Sequence, residues 1–290
     1  MAIKKNAVFL KVIPEDTSKY LRLSVSKVKT FKSCKKKFYF QYKEKLPRKE
    51  WPHTNFGSFL HEVLERFETL ILAGRTEPDN ILMKECFSGA LAGDIFEGNK
   101  NNPVVWEEKI DADQKKESFE ILCSFLKRRA ELKKEGKLPK VVQPEKEFHI
   151  EIGDILLIGF IDLLQIDPDG VLHVADYKTS KSKKYLQKDF MQLKTYAYAL
   201  FLENPELDKV RASYVMLKHN FDLIETEFTR EEVMSTCTKD FLKYAEEIES
   251  EKLYRSTVSP LCGYCDFVEQ CEDGLEKLGR PSGKFGETTW

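Results

Sequence analysis

The 290-residue chain lacks any apolar run long enough to cross a bilayer, since its longest, Ile155 to Ile161, covers about a third of a span. The opening residues, MAIKKNAVFLKVIPED, place only a short apolar group between charges, too little for the core of a secretion signal. No stretch reads G-x-x-x-x-G-K-[ST], so no ATP-driven motor is expected on this chain. Internal repeats, low-complexity tracts and RNA-binding signatures are also missing. A large net charge is absent too: the balance is -1, with 33% charged and 41% hydrophobic residues. These absences point to a soluble cytoplasmic protein with no membrane partner, built as one domain with additions or as two small ones. Its seven cysteines are an odd count, and in a reducing compartment clustered thiols serve more often as metal ligands than as disulfides.

The small net charge hides an asymmetry. From Lys27 to Lys49 there are ten Lys or Arg and a single acid, Glu44. A second basic run, Lys178, Lys181, Lys183, Lys184 and Lys188, follows a strand-like segment. Solvated lysines account for many such runs. The first is interleaved with Phe38, Tyr39, Phe40 and Tyr42, a composition suited to a nucleic-acid surface.

Periodicity divides the chain. Ser24 and Ser26 precede a helical stretch to about Lys43, with Val28, Phe31, Phe38 and Tyr42 as its apolar stripe. Residues 56–72 read as a helix, and 79–135 as mostly helical with a break around EGNKNNP. The period then becomes two. Phe148, Ile150 and Ile152 alternate with polar residues, Gly153-Asp154 turns, and ILLIGFIDLLQI runs back. Pro168-Asp169-Gly170 leads into VLHVADYK, followed by a helix over 186–203 and strands over 210–218 and 223–228. Thr229 and Glu232 form a capping box for a helix to about 253, and the tail after Gly279 reads as loose.

The Pro168-Asp169-Gly170 loop suggests a type I turn with Gly170 left-handed. That register pairs Asp167 with Val171 and, counted back, sets Asp162 opposite Asp176, with Lys178 further along the same face. The same count across Gly153-Asp154 sets Glu145 opposite Asp162. Opposed like charges cost stability, and a hard divalent cation removes that cost by taking the carboxylates as ligands. A one-residue slip would split the pair instead. His61 offers a further ligand nitrogen or is an ordinary helical histidine; Gln192 and Tyr196, four apart, share a helix face.

Together, Gly57-x-x-x-His61, Gly159-Phe-Ile-Asp162, Asp176-Tyr-Lys178-Thr179 and Gln192-x-x-x-Tyr196 resemble, in order, the motifs of the RecB branch of the PD-(D/E)xK nuclease superfamily. LSVSKVKTFKSCKKKFYFQY resembles that branch's N-terminal signature, with Lys35 where the family usually has Pro. The resemblance runs from about Leu23 to Cys271 and is weakest over 75–140. It implies that His61, Asp162, Asp176 and the Tyr177 carbonyl hold Mg2+ or Mn2+. It further implies that Lys178 acts at the attacking water and that Gln192 and Tyr196 position the lysine or the strand. Glu145 matches more loosely, as a supporting acid outside the core set.

The resemblance also speaks to CGYCDFVEQC, residues 262–271. Cys34 with Cys262, Cys265 and Cys271 matches the arrangement of the family's iron–sulfur members, such as the AddB nuclease domain and CRISPR-associated RecB-like exonucleases, and so implies a [4Fe-4S] cluster. Thiolates alone suit tetrahedral zinc equally well. Cys86, Cys123 and Cys237 read as buried small hydrophobes.

The implied architecture is α/β: a restriction-endonuclease-like core, with a central mixed sheet flanked by helices, over 141–255. An N-terminal strand and helical region occupies 1–140, a cysteine-cluster segment closing with Cys34 occupies 256–278, and a flexible tail occupies 279–290. The implied activity is metal-dependent DNA hydrolysis, exonucleolytic on single-stranded ends, in DNA repair or CRISPR adaptation, with a helicase or integrase as possible partner. The alternatives are a DNA-binding assembly subunit, an overhang-trimming endonuclease and a zinc-stabilised RNA-processing protein.

Overall fold

The computed structural model describes residues 7–96 and 104–280. The EGNKNNP break and the tail from residue 281 lie outside the described residues. Two compact units emerge, Met1–Arg22 with Trp51–Phe241, and Leu23–Glu50 with Leu242–Trp290. In chain order the elements begin with β1 (Ala7–Leu10), β2 (Leu21–Leu23), α1 (Val25–Ser33) and α2 (Lys35–Phe38). Three longer helices follow, α3 (Pro52–Leu72), α4 (Asp79–Ala92) and α5 (Ala112–Lys134). The sheet strands β3 (Lys140–Ile152), β4 (Ile155–Ile166) and β5 (Leu172–Lys178) precede α6 (Met191–Glu203). The chain closes with β6 (Lys209–Met216), β7 (Asp222–Thr229), α7 (Arg230–Ser250) and α8 (Glu272–Lys277).

The first unit is built on a mixed seven-stranded sheet of order β1-β3-β4-β5-β6-β7, with β2 joining at β4. All pairings along that order are antiparallel except β5 with β6, which are parallel. A parallel pair needs a long crossover, and α6 supplies it. This is the expected α/β architecture, a mixed sheet with helices against it. No helix among the described residues is long and apolar enough to cross a membrane.

α3 forms because Phe56, Phe59, Leu60, Val63, Leu64 and Phe67 recur at three- and four-residue spacing, and all are buried. Burying each contributes about 1.5–3 kcal/mol. They share a core with Leu82 and Cys86 of α4, Leu122 of α5, and Leu163, Ala175 and Tyr177 of the sheet. α6 is buried almost all round, from Thr195 to Phe201. The helix expected over 186–203 is shorter: Asp189 is extended, and its Oδ1 accepts from the Met191 N–H at 3.1 Å, starting α6 there.

The hairpin registers follow the count from the turns. Gly153 and Gly170 are both left-handed, at φ 61° and 82°. Ile152 faces Ile155, Leu163 faces Ala175, and the Asp167 N–H donates to Val171 O at 3.0 Å. β3 is nonetheless irregular. Its register shifts between Val141 and Gln143, Pro144 has no N–H to donate, and Glu145 takes a left-handed φ of 42°.

In the second unit the long helix expected to Lys43 is broken at Cys34, whose backbone is extended (φ -160°, ψ 112°). Cys34 closes α1 by donating its N–H to Thr30 O and opens α2 by accepting the Lys37 N–H on Sγ at 3.4 Å. The chain then makes one π-helical turn, Tyr39–Lys43. Phe38, fully buried, holds this unit together, edge-on to Phe31 at 5.1 Å and parallel to Tyr254 at 6.4 Å between centroids.

Gly159 sits opposite Phe148, and a Cβ there would come within 2.7 Å of the ring's Cε1. The missing side chain lets Phe148 lie over the strand and meet Tyr196 edge-on at 6.1 Å. Gly159→Ala is expected to cost about 1–3 kcal/mol by overpacking. In the Phe148→Ala background the same change should cost little, so urea denaturation of both singles and the double should show strong coupling. Additive losses would show that the close approach is not what makes the glycine necessary.

Candidate active site

The parallel strand β5 delivers Asp176, Tyr177 and Lys178 at its carboxyl end, where open α/β sheets commonly place their ligand sites. The β4–β5 ladder stops at Leu163 and Ala175. Just beyond it, Asp162 Oδ2 accepts the Tyr177 N–H at 2.9 Å. A carboxylate thus takes over where the ladder ends. α3 brings His61 across the same edge, with Nδ1 3.2 Å from Asp162 Oδ2 and Nε2 2.9 Å from the Tyr177 carbonyl oxygen. The ring meets that of Tyr177 edge-on at 5.9 Å.

α6 supplies the other wall. Tyr196 donates its hydroxyl to Asp176 Oδ1 at 3.1 Å, and Gln192 Nε2 donates to Tyr196 Oη at 2.7 Å. Lys178 donates from Nζ to Gln192 Oε1 at 3.2 Å and ion-pairs with Asp176 Oδ2. Asp176 is fully buried, and its Oδ2 has no hydrogen bond of good geometry, only the ammonium beside it. The structure therefore brings together every residue expected at the carboxylate site: His61, Asp162, Asp176, Tyr177, Lys178, Gln192 and Tyr196.

It also brings in two acids from outside the expected core set. The irregular backbone at Glu145 aims its carboxylate so that ligand atoms of His61, Glu145 and Asp162 all lie within 4.8 Å of one another. Glu65, one turn after His61 on α3, lines the same cleft of about 620 Å³ with Glu62, Trp106 and Thr179. Spacing on a helix could have found Glu65 through its position four after His61. Glu62 is already occupied, since it accepts from Arg66 Nη2 and Trp106 Nε1, both at 2.7 Å.

Crowding and burial raise the pKa of three of these acids. Burial, then Asp162, Glu65 and Asp176, pushes Glu145 up to about 9. Burial and Glu62 push Glu65 up to about 7. Asp162 is raised by burial and by Asp176, and is held back by His61 and Lys178. Such a site favours a hard divalent cation, which replaces the protons and satisfies the oxygens at once.

The second unit carries the cysteines. Cys34, Cys262, Cys265 and Cys271 line one small cavity with Phe40 and Phe267. Backbone N–H groups already point at sulfur: Thr257 donates to Cys34 Sγ and Ser259 to Cys262 Sγ, each at 3.4 Å. Gly274 lies where a Cβ would be 3.4 Å from Cys271 Sγ. The four thiols share one cavity, two of them with backbone donors on sulfur, while no three of their sulfurs lie within 4.8 Å of one another; they are placed to hold a thiolate-bound metal group larger than a single ion. Cys86 and Cys237 are buried, their thiols pushed up to about 12 by that burial. Cys123 is exposed, contrary to expectation, because it faces outward from α5.

The geometry has a counterpart among known proteins. The family model of the PD-(D/E)XK nuclease superfamily matches residues 22–272, and the chain belongs to that superfamily. Among curated relatives it resembles an ATP-dependent helicase/deoxyribonuclease subunit of Streptococcus pyogenes serotype M6, 27% identical over 169 residues. The protein of the same name from Streptococcus agalactiae serotype Ia is 29% identical over 205 residues. These matches cover 56% and 67% of this chain but only 14% and 17% of the relatives.

Acids whose folded pKa lies above the ordinary carboxylate value of about 4.3 contribute stability at low pH and lose it as pH rises through the folded pKa. The metal-free protein is accordingly expected to lose thermal stability between about pH 5 and pH 9, with Glu145→Gln flattening the loss. Mg2+ or Mn2+ should raise the melting temperature more at pH 8 than at pH 5.5, as read by thermal denaturation in EDTA and in each metal. A pH-independent increment would show that the ion does not displace these protons.

Proposed function

We propose that this chain is a metal-dependent deoxyribonuclease, acting as an exonuclease on single-stranded ends and stabilised by a [4Fe-4S] cluster. The observation that carries the reading is the convergence of His61, Glu145, Asp162 and Asp176 beside Lys178 at one end of β5. Asp162, Asp176, His61 and the Tyr177 carbonyl would hold Mg2+ or Mn2+, with Glu145 as a supporting ligand. Bound there, the cation supplies positive charge against the scissile phosphate and makes a water more acidic.

The chain's own residues do the rest. Lys178, fixed by Asp176 and Gln192, sets an ammonium where negative charge grows on the phosphate, or where it can orient the attacking water. Tyr196 and Gln192 position that ammonium and the Asp176 carboxylate through one hydrogen-bonded chain. In the second unit, Lys36 stands over the ring of Tyr39 and Lys27 over that of Tyr42, both rings half-buried, a mix of charge and aromatic surface suited to single strands. The relatives' names support DNA as substrate and a helicase as partner.

The test is cleavage of end-labelled single- and double-stranded DNA by anaerobically purified protein with Mg2+, Mn2+ or EDTA. Lys178→Ala and Asp162→Ala should each lose at least about a hundredfold in rate, and the labelled products give polarity. DNA binding without cleavage in any metal would favour an assembly subunit instead. Cleavage that survives both substitutions would place the active site elsewhere.

The cysteine reading has its own measurement. Protein purified without oxygen should show the broad visible absorption of iron–sulfur charge transfer, with iron and sulfide by analysis, and Cys262→Ala should lose both. Stoichiometric zinc without visible colour would replace the cluster by a tetrahedral zinc site.

A further inference from the structure

Residues 179–190 join β5 to α6, and both ends of this segment lie in the carboxylate site. Across its base, Lys178 Nζ donates to Gln192 Oε1 at 3.2 Å, and Thr179 lines the cleft beside His61. The segment is pinned to the sheet. Lys183 ion-pairs with Asp222 of β7, and the Asp189 carbonyl accepts from Tyr214 Oη at 2.9 Å. Between these anchors the chain makes one tight turn. The Gln187 N–H donates to Lys183 O at 3.1 Å, and the Lys188 N–H to Tyr185 O at 3.2 Å.

Tyr185 stands on that turn. It is 83% exposed, more than any other large hydrophobic residue among those described, and no other described ring packs against it. Around it, residues 179–188 carry four lysines and no acid. Lys183 is engaged by Asp222, but Lys181, Lys184 and Lys188 are exposed and have no carboxylate partner among the described residues. Solvated lysines alone would require neither a pinned turn nor an exposed ring. A fixed aromatic ring among free cations suits single-stranded nucleic acid, whose bases stack on the ring while its phosphates meet the cations. Bases in a duplex already cover one another's faces, so the same ring can stack on them only after they are unstacked.

We propose that Tyr185 is a positioning residue for the substrate strand and selects single-stranded over double-stranded DNA. Its ring stacks on an unpaired base next to the phosphate at the carboxylate site, and Lys181, Lys184 and Lys188 meet the flanking phosphates. The proposal rests on the nuclease reading for the purpose of that placement, whereas the binding itself can be measured without catalysis.

The experiment is fluorescence anisotropy of the full chain with a fluorescein-labelled oligothymidylate and with a blunt duplex of the same length, both in EDTA. Tyr185→Ala should weaken binding of the single strand about tenfold or more, and of the duplex by less than about twofold. Tyr185→Phe, which keeps the ring, should bind as the natural protein does, and Tyr185→Trp should add emission that the oligonucleotide quenches. Lys184→Ala combined with Lys188→Ala should make the slope of log affinity against log salt shallower by about 1.4. No saturable binding of the strand, unchanged affinity in Tyr185→Ala, equal loss for strand and duplex, or a loss shared by Tyr185→Phe would each overturn the proposal. An unquenched tryptophan or an unchanged salt slope would do the same. None of these readouts uses cleavage, so a failure here leaves the outcome for Lys178→Ala and Asp162→Ala to decide the nuclease reading by itself.

Discussion

The repulsion among buried carboxylates at the end of β5 is the constraint on which the rest of this structure turns. Asp176 is fully buried, Asp162 nearly so, and Glu145 and Glu65 crowd the same edge. Unpaired buried charge is unfavourable by several kcal/mol per ion. The chain answers with one ammonium, one imidazole, one backbone N–H and one phenol, each aimed at a particular carboxylate oxygen. Burial and mutual repulsion raise the pKa of Glu145, Glu65 and Asp162, the signature of a site that a divalent cation would relieve.

The supporting architecture follows from that demand. The parallel β5–β6 pair places Asp176 and Lys178 at a strand end, and the crossover it requires is the helix that carries Gln192 and Tyr196. Tyr196 is fixed from behind by Phe148, and Phe148 has room only because residue 159 is glycine. Gly159 therefore acts three contacts away from the carboxylate it serves. α3 is held by its own apolar face, so His61 is delivered by a core helix rather than by a loop.

The second unit solves a different problem with the same economy. A regular helix through residues 24–43 would carry Cys34 round with its neighbours. The break at Cys34 lets one residue end one helix, start the next and present its sulfur to the cavity shared with the three later cysteines. The aromatic residues around it, Phe31, Phe38, Tyr42 and Tyr254, supply the packing that so short a segment needs.

Much of this was legible in the sequence. Turn residues fix hairpin register, so the count from Gly170 gave the β4–β5 pairing as far as Leu163 and Ala175, and with it that Asp162 and Asp176 leave the ladder at the same end. Helix spacing located α3, α6 and their apolar faces for the same reason, that a regular repeat carries its own geometry. Irregular backbone was not legible. The breaks at Cys34 and Asp189, and the left-handed φ of Glu145 within β3 beside His61 and Asp162, depend on neighbours remote along the chain. So does the exposure of Cys123, which helical pattern alone assigned to the interior. Local spacing decides which residues can meet; only the packed fold decides which of them must carry strain, or go without a partner, in order to do so.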